Sequence, residues 1–232
     1  MAIVVNVRGL PGAGKTELVR RVLSWYGQGK DAVPQVLHED ELRAGRVLGH
    51  LVGPASDGSG LAVIGSYARR SGGCDTIRGD AGGCVAAIAA ADRWACAGHA
   101  VLLEGLALSC EADAFSALSP RHRLHVIRLT TPLALCAENL SKRRRTARAR
   151  TATLMKGLVT QERAIDDACA RLSGIARVHR LGFDDALARV RSLVGPPAAD
   201  RAAGAVGSLQ GEAASAGARG VDAPAAGRAS AA

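Results

Sequence analysis

The residues best suited to chemistry are Gly9-Leu10-Pro11-Gly12-Ala13-Gly14-Lys15-Thr16, a Gly-x-x-x-x-Gly-Lys-Thr run. Glycines let such a loop curl until its backbone N–H groups point inward at an anion. The lysine then reaches β- and γ-phosphates, and the hydroxyl after it ligates Mg²⁺. Those roles fall to Lys15 and Thr16, so the expected ligands are ATP and Mg²⁺, cradled by Gly9 to Thr16. The flanks agree. Ala2-Ile3-Val4-Val5-Asn6-Val7 precedes the run as a buried strand, and a helical pattern from Glu17 to Tyr26 follows it. The helix N-terminus adds positive potential at the loop.

A phosphate loop serves kinases, GTPases and motor ATPases alike, so other residues must separate them. The chain has two asparagines, Asn6 and Asn139, and neither precedes a lysine. Guanine recognition through an Asn-Lys-x-Asp motif is therefore excluded. Motor ATPases usually carry an acidic pair after the third strand, whereas Ala100-Val101-Leu102-Leu103 ends in the single Glu104, followed by Gly105. The evidence for a kinase lies after a second strand, Gln35-Val36-Leu37-His38, which runs into Glu39-Asp40-Glu41-Leu42-Arg43. Ligands of an open parallel sheet collect at the carboxyl ends of its strands, which puts Asp40 beside the γ-phosphate. There it would accept the proton of a substrate hydroxyl and orient it for in-line attack. Arg43, on the same helical face, would hold a substrate phosphate. The plain alternative is a helix N-cap aspartate with a solvated arginine.

A third set is basic: Lys142-Arg143-Arg144-Arg145 with Arg148 and Arg150, six cations in nine residues. One reading is a lid that closes an arginine over ATP and neutralises charge on the transferred phosphoryl. Another is contact with the phosphates of DNA, and the plain one is a solvated helix end complementing its dipole. At least one of Arg143, Arg144 and Arg145 is expected to meet ATP.

Strands alternating with helices must position these groups, which predicts an α/β fold: a kinase-type, mostly parallel sheet with helices on both faces. Beyond the strands above, helix 83–98 ends at Gly98, and strand 124–129 leads to Thr131-Pro132, a threonine cap with proline at the first helical position. The basic helix spans 131–150, a helix covers 153–172, a strand 176–180 and a last helix 184–194. Residues 45–83 are rich in glycine and serine, with one strand-like piece at Leu61-Ala62-Val63-Ile64. That is too long for a plain connection, so it is either a substrate-binding insertion or a floppy loop. From 195 to 232 large apolar residues almost vanish, and such a tail cannot offset its own ordering entropy. The expected organisation is a kinase domain at 1–194 and a disordered tail at 195–232.

The 232 residues are 48% hydrophobic but only 3% aromatic, so aliphatic side chains must fill the core. The net charge of +9 is carried almost entirely by arginine, because Lys15, Lys30, Lys142 and Lys156 are the only lysines. Such an excess suits a polyanionic partner, although a GC-rich coding sequence gives the same bias. The six cysteines (Cys74, Cys84, Cys96, Cys110, Cys136, Cys169) show no zinc-ligand spacing, and the default is small buried hydrophobes in a reducing compartment. The N-terminus enters a strand directly, with no basic leader and no long apolar span, so a soluble protein of the (host) cytoplasm without a membrane partner is expected.

The phosphate loop followed by Asp40-x-x-Arg43 resembles the kinase domains of polynucleotide kinases. That likeness implies a base role for Asp40 and a nucleic-acid phosphate contact for Arg43. A narrower set combines Val63-Ile64-Gly65-Ser66-Tyr67, Gly72-Gly73-Cys74-Asp75-Thr76 and Val101-Leu102-Leu103-Glu104-Gly105-Leu106-x-x-Ser109. It is similar to bacteriophage kinases acting on 5-hydroxymethyluracil in DNA, and implies an ATP-dependent transfer to the base's hydroxymethyl group on the way to hypermodified thymidine. Under this likeness Tyr67, Asp75 and Glu104 belong to the substrate side. An extruded base would stack on an aromatic, while a half-buried tyrosine and a turn aspartate are the plain readings of Tyr67 and Asp75. Two rivals remain open: a kinase of a free nucleotide or other small hydroxyl compound, and a nucleic-acid-binding NTPase without transfer.

Overall fold

Five consecutive residues of the first strand, Val4 to Arg8, are buried, which requires cover on both faces of the sheet around it. The computed structural model describes residues 1–26, 35–38, 47–53, 60–67, 72–77, 83–144 and 151–195. The tail expected at 195–232 lies outside the described residues beyond Gly195.

Strand β1 (Ile3–Arg8) leads through the phosphate loop into helix α1 (Lys15–Tyr26), and β2 (Gln35–His38), β3 (Val47–Val52) and β4 (Leu61–Ile64) follow. Helix α2 (Gly83–Cys96), β5 (Ala100–Glu104), α3 (Leu108–Leu118), β6 (Arg123–Leu129), α4 (Leu133–Arg144), α5 (Thr151–Leu172), β7 (Arg177–Leu181) and α6 (Phe183–Val194) complete the order. All seven strands form one sheet in the order β2-β3-β4-β5-β1-β6-β7. The pairs β4–β5, β5–β1, β1–β6 and β6–β7 are parallel, whereas β2–β3 and β3–β4 are antiparallel. This is the expected mostly parallel α/β architecture. Helices α1 and α6 pack together against its centre, and α2, α3 and α5 form a second packed set.

Two elements escaped the sequence reading. Strand β3 falls inside the glycine-rich stretch, and α3 fills the gap between β5 and β6. More important is where β2 sits. It is the outer strand, four inter-strand steps from β1, or roughly 19 Å at the usual spacing. The neighbour beyond β5 is instead β4, parallel to it, so the loop after β4 takes the place that the sequence reading gave to the loop after β2. Asp40 and Arg43 themselves lie outside the described residues.

The cysteine expectation also needs correction. Cys74, Cys136 and Cys169 are buried thiols, but Cys96 is exposed and Cys84 is disulfide-bonded. The polar face of β1 is buried as well. Asn6 and Arg8, two apart on one face, both engage Glu111 of α3, and Arg8 Nη1 donates to the Leu106 carbonyl at 2.7 Å. An ion pair thus fastens the β5–α3 connection to the strand that carries the phosphate loop. Among the described residues, no helix is long and apolar enough to cross a membrane.

Candidate active site

The phosphate loop is held by its neighbours as well as by its own glycines. Gly12 has φ 83°, and a Cβ there would lie 2.5 Å from the Cys136 carbonyl oxygen of α4. Only glycine combines that backbone conformation with that approach. Asn139 Nδ2 of α4 donates to the Gly12 carbonyl at 2.9 Å, and Thr131 Oγ1 donates to the Ala13 carbonyl at 2.9 Å. Thr131, expected to cap the following helix, therefore spends its hydroxyl on the loop. Lys15 turns its ammonium back onto the Gly9 and Leu10 carbonyls at 2.9 and 3.1 Å. Burial lowers its pKa, opposed by the nearby Glu104 carboxyl.

Thr16 points across to β5, donating from Oγ1 to Glu104 Oε1 at 2.7 Å. Val7 of β1 is the register partner of Glu104, so the carboxyl emerges beside the loop. Glu104 is 1% exposed. Burial pushes its pKa up to about 7, with the Thr16 hydrogen bond and the Lys15 charge pulling the other way and Asp75 adding to the rise.

The loop after β4 closes this wall. Ser66 and Gly73 form a bridge, and the Thr76 hydroxyl links the two sides by donating to the Gly73 carbonyl at 2.7 Å and accepting from the Ser66 N–H at 2.8 Å. Gly73, at φ 88°, lies so near Glu104 that a Cβ would approach its Cγ to 2.6 Å. The turn at Cys74–Thr76 then sets the exposed Asp75 against Gly105. The result is a cleft of about 500 Å³ that includes Gly12, Lys15, Thr16, Asp75, Glu104 and Arg143 in its lining.

The expected site residues divide accordingly. Pro11, Gly12, Gly14, Lys15 and Thr16 line the cleft, while Leu10 and Ala13 are buried and Gly9 and Leu10 offer carbonyls. Asp75, Glu104 and Arg143 line it too. The side chain of Arg144, and Arg145, Arg148 and Arg150 entirely, lie outside the described residues. Tyr67 is 7% exposed and absent from the lining, with Gly72 lying over its ring. In this arrangement it lies behind Gly72, outside the cleft lining, and offers no open stacking face. Arg20 and Asn139 line the cleft without having been singled out. Both were findable: Arg20 is one helical turn after Thr16, and Asn139 one turn before Arg143. A further signal went unread, because Asp75 and Arg78 repeat the Asp-x-x-Arg spacing of Asp40 and Arg43. Arg78 also lies outside the described residues.

No protein-family model matches the chain. The 5-hmdU DNA kinase of Pseudomonas phage PaMx11 is 34% identical to it over 143 residues, which cover 61% of this chain and 69% of that protein. Identity of that extent establishes kinship, and the chain belongs to the family of the phage 5-hmdU DNA kinase.

Proposed function

We propose that the protein transfers the γ-phosphoryl group of ATP to the hydroxymethyl oxygen of 5-hydroxymethyluracil in DNA. The observation that carries this reading is one cleft holding a phosphate loop on one wall and the open carboxylate of Asp75 on the other. Kinship with a protein named for that activity supplies the acceptor. Asp75 is the general base: its carboxylate takes the hydroxymethyl proton, the oxygen attacks the γ-phosphorus in line, and ADP leaves. Loop N–H groups and Lys15 hold the phosphates, and Arg143 offsets charge that develops on the transferred group.

The Thr16 hydroxyl and the Glu104 carboxylate form a hard oxygen donor pair, which fits Mg²⁺. When bound, the ion would supply neutralisation of the phosphates' charge. The acceptor base must leave the helical stack to reach the cleft. Its phosphorylated product carries a leaving group, which suits a step towards hypermodified thymidine.

The test is transfer of labelled phosphate from γ-labelled ATP. Hydroxymethyluracil DNA should be labelled and thymine DNA should not. Free hydroxymethyl-dUMP serves as the arm for a small-molecule kinase. Asp75→Asn should lose about 10²–10⁴-fold in transfer with ATP binding retained, whereas Asp40→Asn should not. Phosphate release without labelled DNA, unaffected by Asp75→Asn, would refute the assignment and leave an NTPase.

A further inference from the structure

A second cavity, of about 480 Å³, lies at the opposite pole, where Ile3, Arg123 and Arg177 begin β1, β6 and β7. The seven residues of β6 span the distance between the poles, roughly 20 Å. Arg189 of α6 reaches the same space. Three arginines thus line one hollow. Among the described residues none of the three forms an ion pair with a carboxylate. The carboxylate of Asp92 is already engaged, by Arg121 and by His122, each at 2.9 Å. Arg189 makes only a 3.4 Å contact from Nη1 to the Ser192 hydroxyl.

One histidine registers the charge. His125 lines the cavity and stacks on His179 with 3.1 Å between Nδ1 and Nε2. Its pKa is pushed down to about 4, first by burial and then by His179, Arg189, Arg177 and Arg123, so all three guanidinium groups act on one buried point. His122 also lines the cavity. It is 5% exposed, and its Nδ1 is buried without a hydrogen-bond partner. Like charges gathered in a concave, partly apolar space repel one another until an anion enters.

We propose that this cavity is a second anion site, one that takes the phosphate of a small phosphorylated molecule of mononucleotide size. Guanidinium forks match phosphate oxygens two at a time. Ile3, Leu124 and Leu193 offer apolar wall to the rest of the ligand, and the volume falls in the range of small-molecule pockets. A DNA strand seated at the phosphate loop would have to bend around the molecule to reach this hollow. A free ligand needs only to diffuse in.

The probe is thymidine 5′-monophosphate, offered by equilibrium dialysis to the full chain with its phosphate loop saturated by ADP and Mg²⁺. One equivalent should bind. The double variant Arg177→Gln/Arg189→Gln should weaken that binding at least tenfold while its affinity for ADP stays unchanged, which also certifies the fold. Should the double variant lose ADP binding, Arg123→Gln is read in its place. No uptake beside ADP overturns the proposal, as does uptake that the arginine variants leave intact, since that would place the nucleotide in the catalytic cleft. Binding of a short DNA duplex that the same variants abolish, without any binding of the mononucleotide, makes the surface a DNA contact and likewise overturns it.

Discussion

Replacing Glu104 by glutamine should stabilise the nucleotide-free protein at alkaline pH while lowering its activity. The carboxyl's pKa rises from 4.5 to about 7 on folding, mainly through burial. At about 1.36 kcal/mol per unit, ionising it in the folded state costs about 3 kcal/mol more than in the unfolded chain. A raised acid stabilises the fold fully below its unfolded pKa of 4.5 and loses that contribution as pH climbs through about 7. By linkage, about 2 kcal/mol of the loss falls between about pH 5.5 and pH 8. Glutamine cannot ionise, yet its amide oxygen still accepts the Thr16 hydrogen. Urea unfolding of both proteins at the two pH values gives the comparison. The wild type should weaken relative to Glu104→Gln by about that amount on going to pH 8, and saturating Mg²⁺ and ATP should abolish the gap by favouring the carboxylate. Parallel pH profiles, or a variant less stable than the wild type at pH 8, would refute the reasoning.

Two further substitutions test the scaffold. Gly12→Ala forces a side chain into a left-handed backbone position 2.5 Å from the Cys136 carbonyl. It should cost about 1–3 kcal/mol from backbone strain alone and abolish ATP binding, read by thermal melting and nucleotide titration. Glu111→Ala leaves Arg8 buried without its partner and should cost about 3–5 kcal/mol in urea unfolding. The double change Arg8→Met/Glu111→Leu should recover most of that loss, because it removes both charges together.

The first strand, loop and helix were legible because their pattern is local: β1, the glycines, Lys15 and Thr16 are contiguous, and each demands the next. Strand β5 was legible for the same reason, as an apolar run ending in Glu104. The sheet order was not. Leu61–Ile64 and Gln35–His38 are both four-residue strands with apolar centres, and nothing within either says which one pairs with β5. That choice rests on β3, whose Val47-Leu48-Gly49-His50-Leu51-Val52 alternates poorly and has a glycine in its middle. Gly49 is needed there because a Cβ would fall 2.3 Å from the Val63 carbonyl of β4. A residue that marks close strand packing therefore read as loop. The proposed base follows the same choice, because Asp75 comes after β4 in the chain and Asp40 after β2. The burial of Tyr67 was hidden for a related reason, since it depends on the backbone of Gly72 folding over the ring.

Two carboxyl groups sharing one cleft with different surroundings argue for different roles. Glu104 is sealed between β1 and the loop after β4, against a hydroxyl and an ammonium, where a polymer cannot reach it. Asp75 stands exposed on the lip, where a bulky acceptor can approach. Their substitutions should therefore fail in different ways. Under the proposed mechanism Glu104→Gln removes an anionic magnesium ligand, so it should weaken Mg²⁺-dependent ATP binding, with activity partly restored by raising Mg²⁺. Asp75→Asn should bind Mg²⁺ and ATP as the wild type does, yet transfer about 10²–10⁴-fold more slowly at every Mg²⁺ concentration. Titrating ATP binding and transfer against Mg²⁺ in both variants separates the two, and a Mg²⁺ rescue of Asp75→Asn would reverse the assignment.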